Sequence, residues 1–493
     1  MLLTIFFLIV VLYLGAGFLS ARKVKESGDF YVSGHKAGPY IVMGTFAATW
    51  ISAAGMLAYP GLSYTGGIGA IVVWGAFPGF VIAILLIAPK LYRSRSWTLI
   101  DYFERRWDDP RLRVLGIIFL YLGLIPYLLA QVMGGAVVMS SLLPLDYKTM
   151  VVIVCVLFVV ITLIGGAWSV SVTDTMMLMI VFFVAFFTLP FALSFAGGWK
   201  AVTFDAYALT PERFGIGGSA LSPGYYVAAV FIWMCGMFAA PHQCTRLLIA
   251  KDEKTAVKGM LLALILGFFA VYCLHMMCHS FWYVNSNIPA AKSATALPTL
   301  FTSINPVVGA IGIAGLFAAA LSTTTSMLLV LSMGVGKDIY RGFINPNVSE
   351  KNFMLITRWA VVVIGALVFI MAWFQVSAIA KWAELGASVF ACVFFPALLL
   401  GLNWRRITHT AVFWSMLLGG GVDIIYWMAW RFGGVKLLWG WQPVIWGIIV
   451  AFVVMIGISL VTTPTAKEIE EFEMVQSGAY KSIDHRVGEE ANL

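Results

Sequence analysis

The sequence predicts an all-α polytopic membrane protein of about 13 transmembrane helices, ten of them forming a 5+5 inverted-repeat core. Three observations carry that prediction. Of the 493 residues, 61% are hydrophobic and only 11% charged, against roughly 25% charge in a soluble domain. Apolar runs long enough to cross a hydrocarbon core about 30 Å thick recur along the chain, and mean hydropathy is +0.93. Two small-residue interruptions lie about 180 residues apart, each in the first helix of a five-span block. The runs are continuously apolar, whereas outer-membrane barrel strands alternate over about ten residues. A soluble enzyme, a disordered scaffold and a nucleic-acid binder are excluded as well, despite a net charge of +8.

Reading runs between charged or Gly/Pro-rich breaks places spans near 3–20, 40–60, 67–91, 112–143, 149–167, 173–196, 223–240, 256–284, 306–333, 353–374, 379–401, 408–430 and 441–462. The first, with Arg22, Lys23 and Lys25 behind it, reads as an uncleaved helix with its N-terminus outside. Residues 1–22 then form a helix outside the core and 38–200 the first repeat, spans two to six. Residues 221–402 form the second repeat, spans seven to eleven, 406–462 two peripheral helices, and 463–493 a loosely ordered acidic cytoplasmic tail.

With that orientation, only Lys148, Lys200, Arg213, Lys292, Lys381, Arg431 and Lys436 of the 31 Lys and Arg residues lie outside, and the other 24 are cytoplasmic. This asymmetry is the positive-inside pattern of an inner (plasma) membrane protein, and it sets the basic charge against anionic lipid. The six cysteines show no paired spacing and read as small apolar fillers. His275 and His279 have the i, i+4 spacing of a metal pair, yet no carboxylate accompanies them. They read as interfacial polar groups.

Three acids fall within spans: Asp174 opening the sixth, Glu384 one turn into the eleventh, and Asp423 in the twelfth. Each costs about 2.5–3.5 kcal/mol near the bilayer centre and needs a partner or a wet cavity. For Asp174, helix capping with Thr173 and a functional role both fit. Glu384 can pair with Lys381 one turn earlier. Asp423 follows Gly419-Gly420-Gly421, where close backbone approach could bury it, and it stays unassigned.

Span two holds Ala47-Ala48-Thr49-Trp50-Ile51-Ser52-Ala53-Ala54-Gly55 before Pro60-Gly61, and span seven holds Trp233-Met234-Cys235-Gly236-Met237 and ends at Pro241. Interruptions at matching places in two halves point to a transporter binding site. Backbone unwound at that depth is tolerated only beside a cavity, where its carbonyls become available to a cation or solute. Span nine carries Ser322-Thr323-Thr324-Thr325-Ser326 after three alanines. Such a run can back-bond to its own helix or support helix packing, but neutral oxygen donors are also what a dehydrated alkali cation requires.

These stretches, with several others, resemble the sodium/solute symporter family over most of the chain. Asp29-Phe30-Tyr31-Val32-Ser33-Gly34 resembles the entry motif before span two, and Thr98 to Trp107 resembles the family's cytoplasmic helix. Gly165-Gly166-Ala167-Trp168 with Thr173-Asp174 resembles its signature between spans five and six. Pro241-His242, Arg246 and Ala250-Lys251-Asp252 resemble the loop after span seven, and Ala319 to Ser326 with Asp338-Ile339-Tyr340 its sodium-site helix. The resemblance implies the leucine-transporter-type fold and sodium-driven uptake of a small organic solute by alternating access. It places the coupling ion, Na+, on the carbonyls of Ala48, Ile51 and Ala319 and the hydroxyls of Ser322 and Thr323. It places the solute at Ala54, Ala58, Tyr127, Trp233 and Met237, and gives Asp174 a part in ion coupling. Gln131, a turn beyond Tyr127, could add a polar contact.

Two departures bear on the solute. Trp50 stands where the proline branch has an aspartate, which weighs against proline. Span seven offers Trp, Met, Cys and Gly rather than the polar side chains of the sugar branch. Pro241-His242 with Arg246, and Ile51-Ser52-Ala53, lean toward the pantothenate and monocarboxylate branches. A proton-coupled carrier on the same fold and a membrane sensor or transceptor are the competing readings. No His/Glu metal pair, Ser/His set or Gly-rich phosphate loop at membrane depth suggests an enzyme. Oligomeric state is not encoded in any of these features.

Overall fold

A computed structural model describes residues 2–21, 35–75, 77–143, 145–374 and 379–479. The entry motif at 29–34 and the charges at 22–25 lie outside the described residues. The described chain is helical. One isolated bridge, Ala37 with Ala250, ties the segment entering the first broken helix to the loop leaving the second.

Helix α1 (Leu2–Ala21) exposes Leu8, Val11, Leu12 and Leu19 and buries Phe6, Val10 and Tyr13. Span two is two helices, α2 (Pro39–Trp50) and α3 (Ala54–Gly66), bent by 64°. Proline at the start of α2 fits because the first-turn amide has no helical partner there. Gly67 turns the chain at φ 93° into α4 (Ile68–Arg93). Next comes the short α5 (Leu99–Trp107), whose Thr98 cap accepts the Asp101 amide at 3.0 Å. Then α6 (Pro110–Leu142) begins at an Asp109 cap with Pro110 in its first turn.

Spans five and six, α7 (Tyr147–Leu163) and α8 (Gly166–Phe195), meet at Gly166. Its φ of 54° and ψ of −170° lie in a region essentially reserved for glycine. The apolar runs predict this boundary near residue 170, with Asp174 opening the sixth span. In the structure Asp174 is two turns inside α8, so it caps nothing, and Thr173 bonds back to Ser169 and Val170 of its own helix.

The second half repeats the first. Helices α9 (Pro223–Ala239) and α10 (Pro241–Leu248) are bent by 45°, so span seven continues past Pro241 instead of ending there. Each broken span carries a π-helical turn beside its break, Ala54–Ala58 and Ile232–Gly236. Such turns mark departures from regular i→i−4 bonding and concentrate at functional sites. The chain continues through α11 (Glu253–Val284), the short α12 (Ala296–Ser303), α13 (Pro306–Ile344), α14 (Glu350–Trp373), α15 (Ile379–Asn403), α16 (His409–Phe432) and α17 (Pro443–Val461).

Among the described residues, ten helices are long and apolar enough to cross a membrane, or twelve with each bent pair counted as one span. Helix α7 is shorter, because Gly166 takes its last expected turn, and the expected thirteen are reached only by including it. The most apolar windows of α13 and α15 are 83% and 89% buried, against 24% for α1, which puts α13 and α15 at the centre and α1 at the lipid.

The region expected to be a loose tail contains α18 (Ala466–Ser477). A Thr465–Glu468 capping box starts it. Glu468 also accepts the His409 amide at 2.7 Å, and Arg106 donates to the Glu468 carbonyl at 2.6 Å. A helix with one such docked face no longer behaves as a solvated acidic tail.

Candidate ion and solute site

The break in span two follows from where its amides go. Ile51 makes the last regular bond, to the Ala47 carbonyl at 2.8 Å, and adopts φ −77° and ψ 73°. In a continuous helix the next two amides, of Ser52 and Ala53, would bond to Ala48 and Thr49. The Ser52 amide instead bonds to Trp50, and the Ala53 amide to the Gln131 side chain at 2.8 Å. Two carbonyls are thereby released from the helix.

Both meet the hydroxyl-rich stretch of α13. The Ser322 hydroxyl donates to the Ala48 carbonyl at 2.9 Å and also lies 3.2 Å from the Ala319 carbonyl. The Thr323 hydroxyl lies 3.1 Å from both the Thr49 and Ala319 carbonyls and 3.5 Å from that of Ala48. Four of the five residues expected at the ion (Ala48, Ala319, Ser322 and Thr323) thus form one buried cluster of neutral oxygens. Ile51 is buried at the break itself. Thr49, absent from the expected set, joins the cluster through its carbonyl.

Asp174 lies in an adjoining network. Its Oδ2 accepts from Thr45 at 2.6 Å and lies 3.8 Å from the Arg246 guanidinium, both ionic groups being at most 1% exposed. Arg246 also donates to Ser326, whose hydroxyl is 3.3 Å from that of Thr49. The acid is therefore a buried ion-pair member joining α8 to α10. Arg246 was visible in the sequence as part of a motif, but nothing in sequence spacing named it as the partner of an acid 72 residues away.

The expected solute residues separate into four groups. Ala58 lines a cavity of about 1100 Å³ together with Ile232, Tyr225, Lys381, Glu384 and Asp423. Tyr127 and Trp233 are buried with ring centroids 6.2 Å apart, while Ala54 and Met237 are buried beside the two breaks. Gln131 is already engaged with Ala53, and its amide nitrogen is 3.4 Å from the Tyr127 carbonyl. Tyr59 and Trp74, not singled out in the sequence, complete the aromatic wall at 5.3 and 5.8 Å from Trp233.

The remaining polar groups also find partners. Glu384 accepts from Tyr59 at 3.1 Å and Tyr225 at 2.5 Å, so two tyrosines from the two broken spans hold it by hydrogen bonds, while Lys381, one turn earlier, acts on it through its charge alone. Asp423 accepts from Ser388 at 2.7 Å. A side chain on Gly447 of α17 would meet its Cβ, so the small residues there do permit close approach. Trp50 packs edge-on against Trp74, Phe77 and Phe80. Gly267 leaves room for its ring. His275 takes a bond from Trp74 at 2.9 Å and pairs with Ser63 at 2.7 Å. His279 meets the Val202 carbonyl at 3.1 Å. The six cysteines are free and buried.

Residues 30–419 match the model of the sodium:solute symporter family. A sodium/proline symporter of Staphylococcus aureus is 25% identical over 494 residues, covering 95% of this chain and 93% of that protein. Among solved structures, a substrate-bound, outward-open Na+-coupled sialic acid symporter superposes with a TM-score of 0.78 at 17% identity, over 94% of this chain and 98% of that one. MhsT in complex with L-phenylalanine superposes at 0.52 and 13% identity, over 85% and 98%. At these identities the structures establish the fold, which is the leucine-transporter type with its 5+5 inverted repeat. The chain belongs to the sodium:solute symporter family, a multi-pass membrane transporter with sodium as its coupling ion.

Proposed function

We propose that this symporter takes a small organic solute into the cell by alternating access, with Na+ bound by the carbonyls of Ala48, Ile51 and Ala319 and the hydroxyls of Ser322 and Thr323. The observation carrying this reading is the release of the Ala48 and Thr49 carbonyls at the break and their meeting with two hydroxyls of α13. Hard cations take oxygen ligands. An ion there would draw the oxygens of the broken helix and of α13 onto itself, fixing α2 against the second repeat. Asp174 serves coupling through Arg246 and Ser326, one turn beyond the hydroxyl pair.

The solute pocket takes Ala58 from the cavity wall, Trp233 and Tyr127 as its aromatic surface, and Ala54 and Met237 beside the two breaks. A small carboxylate such as pantothenate, a monocarboxylate or an amino acid fits the basic Lys381 and Arg431 at the cavity wall. Trp50, buried among aromatic rings, supplies no charge for the ion. Inward movement of one sodium ion contributes about 2.3 kcal/mol per 100 mV; with a monoanionic solute the voltage contribution cancels unless a second ion accompanies it. The two repeats span 38–200 and 221–402, flanked by residues 1–22 and 406–462. The N-terminus is outside, and the basic loops and residues 463–493 are cytoplasmic, in keeping with the positive-inside asymmetry.

Proteoliposome uptake with an imposed sodium gradient, run against carboxylates, amino acids, vitamins, sugars and ureides, tests this. Sodium-dependent accumulation of a carboxylate is expected. Uptake of sugars or ureides alone would overturn the solute class, and uptake driven by a pH gradient without sodium would overturn the coupling.

A further inference from the structure

We infer that Gln131 is a positioning residue for the ion site, holding the helix break open from outside the broken helix; the inference rests on the sodium reading above. Gln131 is completely buried, yet its carbonyl oxygen is spent on a main-chain amide, that of Ala53, at 2.8 Å. That amide is the one a continuous helix would return to Thr49. With Gln131 as substitute acceptor, the Thr49 carbonyl stays free for the Thr323 hydroxyl at 3.1 Å.

The same face of α6 holds the rest of the break. Tyr127, one turn before Gln131, reaches the Ser52 hydroxyl at 3.4 Å. Gly134, one turn after, lets α6 approach so closely that a side chain there would run into the Cβ of Ala53. Positions 127, 131 and 134 follow the i, i+4, i+7 spacing of one helix face. The two residues at which α2 stops being a helix are therefore each held by a side chain of α6. The bond from the Gln131 amide nitrogen to Tyr127, at 3.4 Å, orients the carboxamide with its oxygen towards Ala53.

Removing the acceptor leaves a buried amide with two outcomes. It stays unsatisfied, which is costly in the interior, or it closes onto Thr49 and withdraws a carbonyl from the niche. The first destabilises the open break and the second closes it, so in both the open niche is disfavoured while the aromatic solute wall keeps its own contacts. A Gln131 that instead touched solute would produce the opposite pattern.

The test uses purified full-length protein with sodium alone as probe, followed by solute titration at saturating sodium. Gln131→Leu is expected to weaken sodium binding by about tenfold or more, the scale of one lost buried hydrogen bond, and to leave solute affinity at saturating sodium unchanged. Gln131→Glu, which keeps an acceptor oxygen, is expected to restore sodium binding. Should Gln131→Leu not fold, Gln131→Glu against Gln131→Asn decides, since the shorter amide cannot reach Ala53; equal sodium affinity in these two overturns the inference. Unchanged sodium affinity in Gln131→Leu, or an effect confined to solute, overturns it as well. Ser322→Ala is run in parallel. Weakened sodium binding there with intact binding in Gln131→Leu refutes this inference alone, and no effect in either refutes the sodium site itself.

Discussion

Asp174→Asn preserves the shape of the side chain and removes its charge, stranding the buried Arg246 guanidinium. At the observed 3.8 Å, an effective dielectric constant of about 20 gives an attraction of about 4 kcal/mol. Breaking a buried pair by removing one partner costs about 3–5 kcal/mol by mutational precedent, so the two estimates agree. Arg246→Gln should cost a similar amount by stranding the carboxylate, which would keep neutral hydroxyl partners such as Thr45 but no cation. Removing both charges together also removes both desolvation penalties, so the double variant should recover much of the loss. The assay is a double-mutant cycle on unfolding free energy, from denaturant titration in detergent. Single variants that each cost under about 1 kcal/mol and simply add would refute the pairing, and with it the link from α8 to α10.

Gly166→Ala places a side chain where φ is 54° and ψ −170° and should cost about 1–3 kcal/mol, read as a lowered unfolding midpoint; an unchanged midpoint would mean that the turn relaxes freely. On the face carrying the basic loops, burial pushes the Asp101 carboxyl up, but the Lys337 ammonium at 2.8 Å and the Trp97 amide at 2.9 Å outweigh it and hold the group below its ordinary value. The unfolded chain then binds more protons on acidification, so this contribution to stability is complete above roughly pH 4 and lost as pH falls through the lowered value. Asp101→Asn should be less stable at neutral pH and show a shallower acid-side loss, measured by unfolding at a series of pH values; an unaltered pH profile would contradict the pairing.

The helix breaks were legible because their causes are local. Glycine and hydroxyl residues weaken a helix and proline removes an amide, so 47–55 and 233–241 announced themselves. The exact bend in span seven shifted to Ala240 because Pro241 lacks the amide that would continue the ladder, and the proline also starts α10. Partnerships across the fold were not legible. Sequence spacing shows Glu384 a turn from Lys381, whose charge does act on it, but not the two tyrosines from other helices that hydrogen-bond it. Gln131 looked like a solute contact because it follows an aromatic by one turn, and only the folded chain brings it to Ala53. The docked helix at 466–477 was hidden by its acidic composition, since one buried glutamate and one capping box outweigh an average over the segment.

Sodium titration of Ser322→Ala/Thr323→Ala, in vesicles of defined internal and external sodium, addresses the central claim most directly. The double variant removes both hydroxyls that meet the Ala48 and Thr49 carbonyls. The apparent sodium requirement should rise by about a hundredfold, two lost ligands at about 1–1.5 kcal/mol each, with solute affinity at saturating sodium nearly unchanged. A double variant that follows the sodium dependence of the native protein would contradict the assignment of the ion to this break.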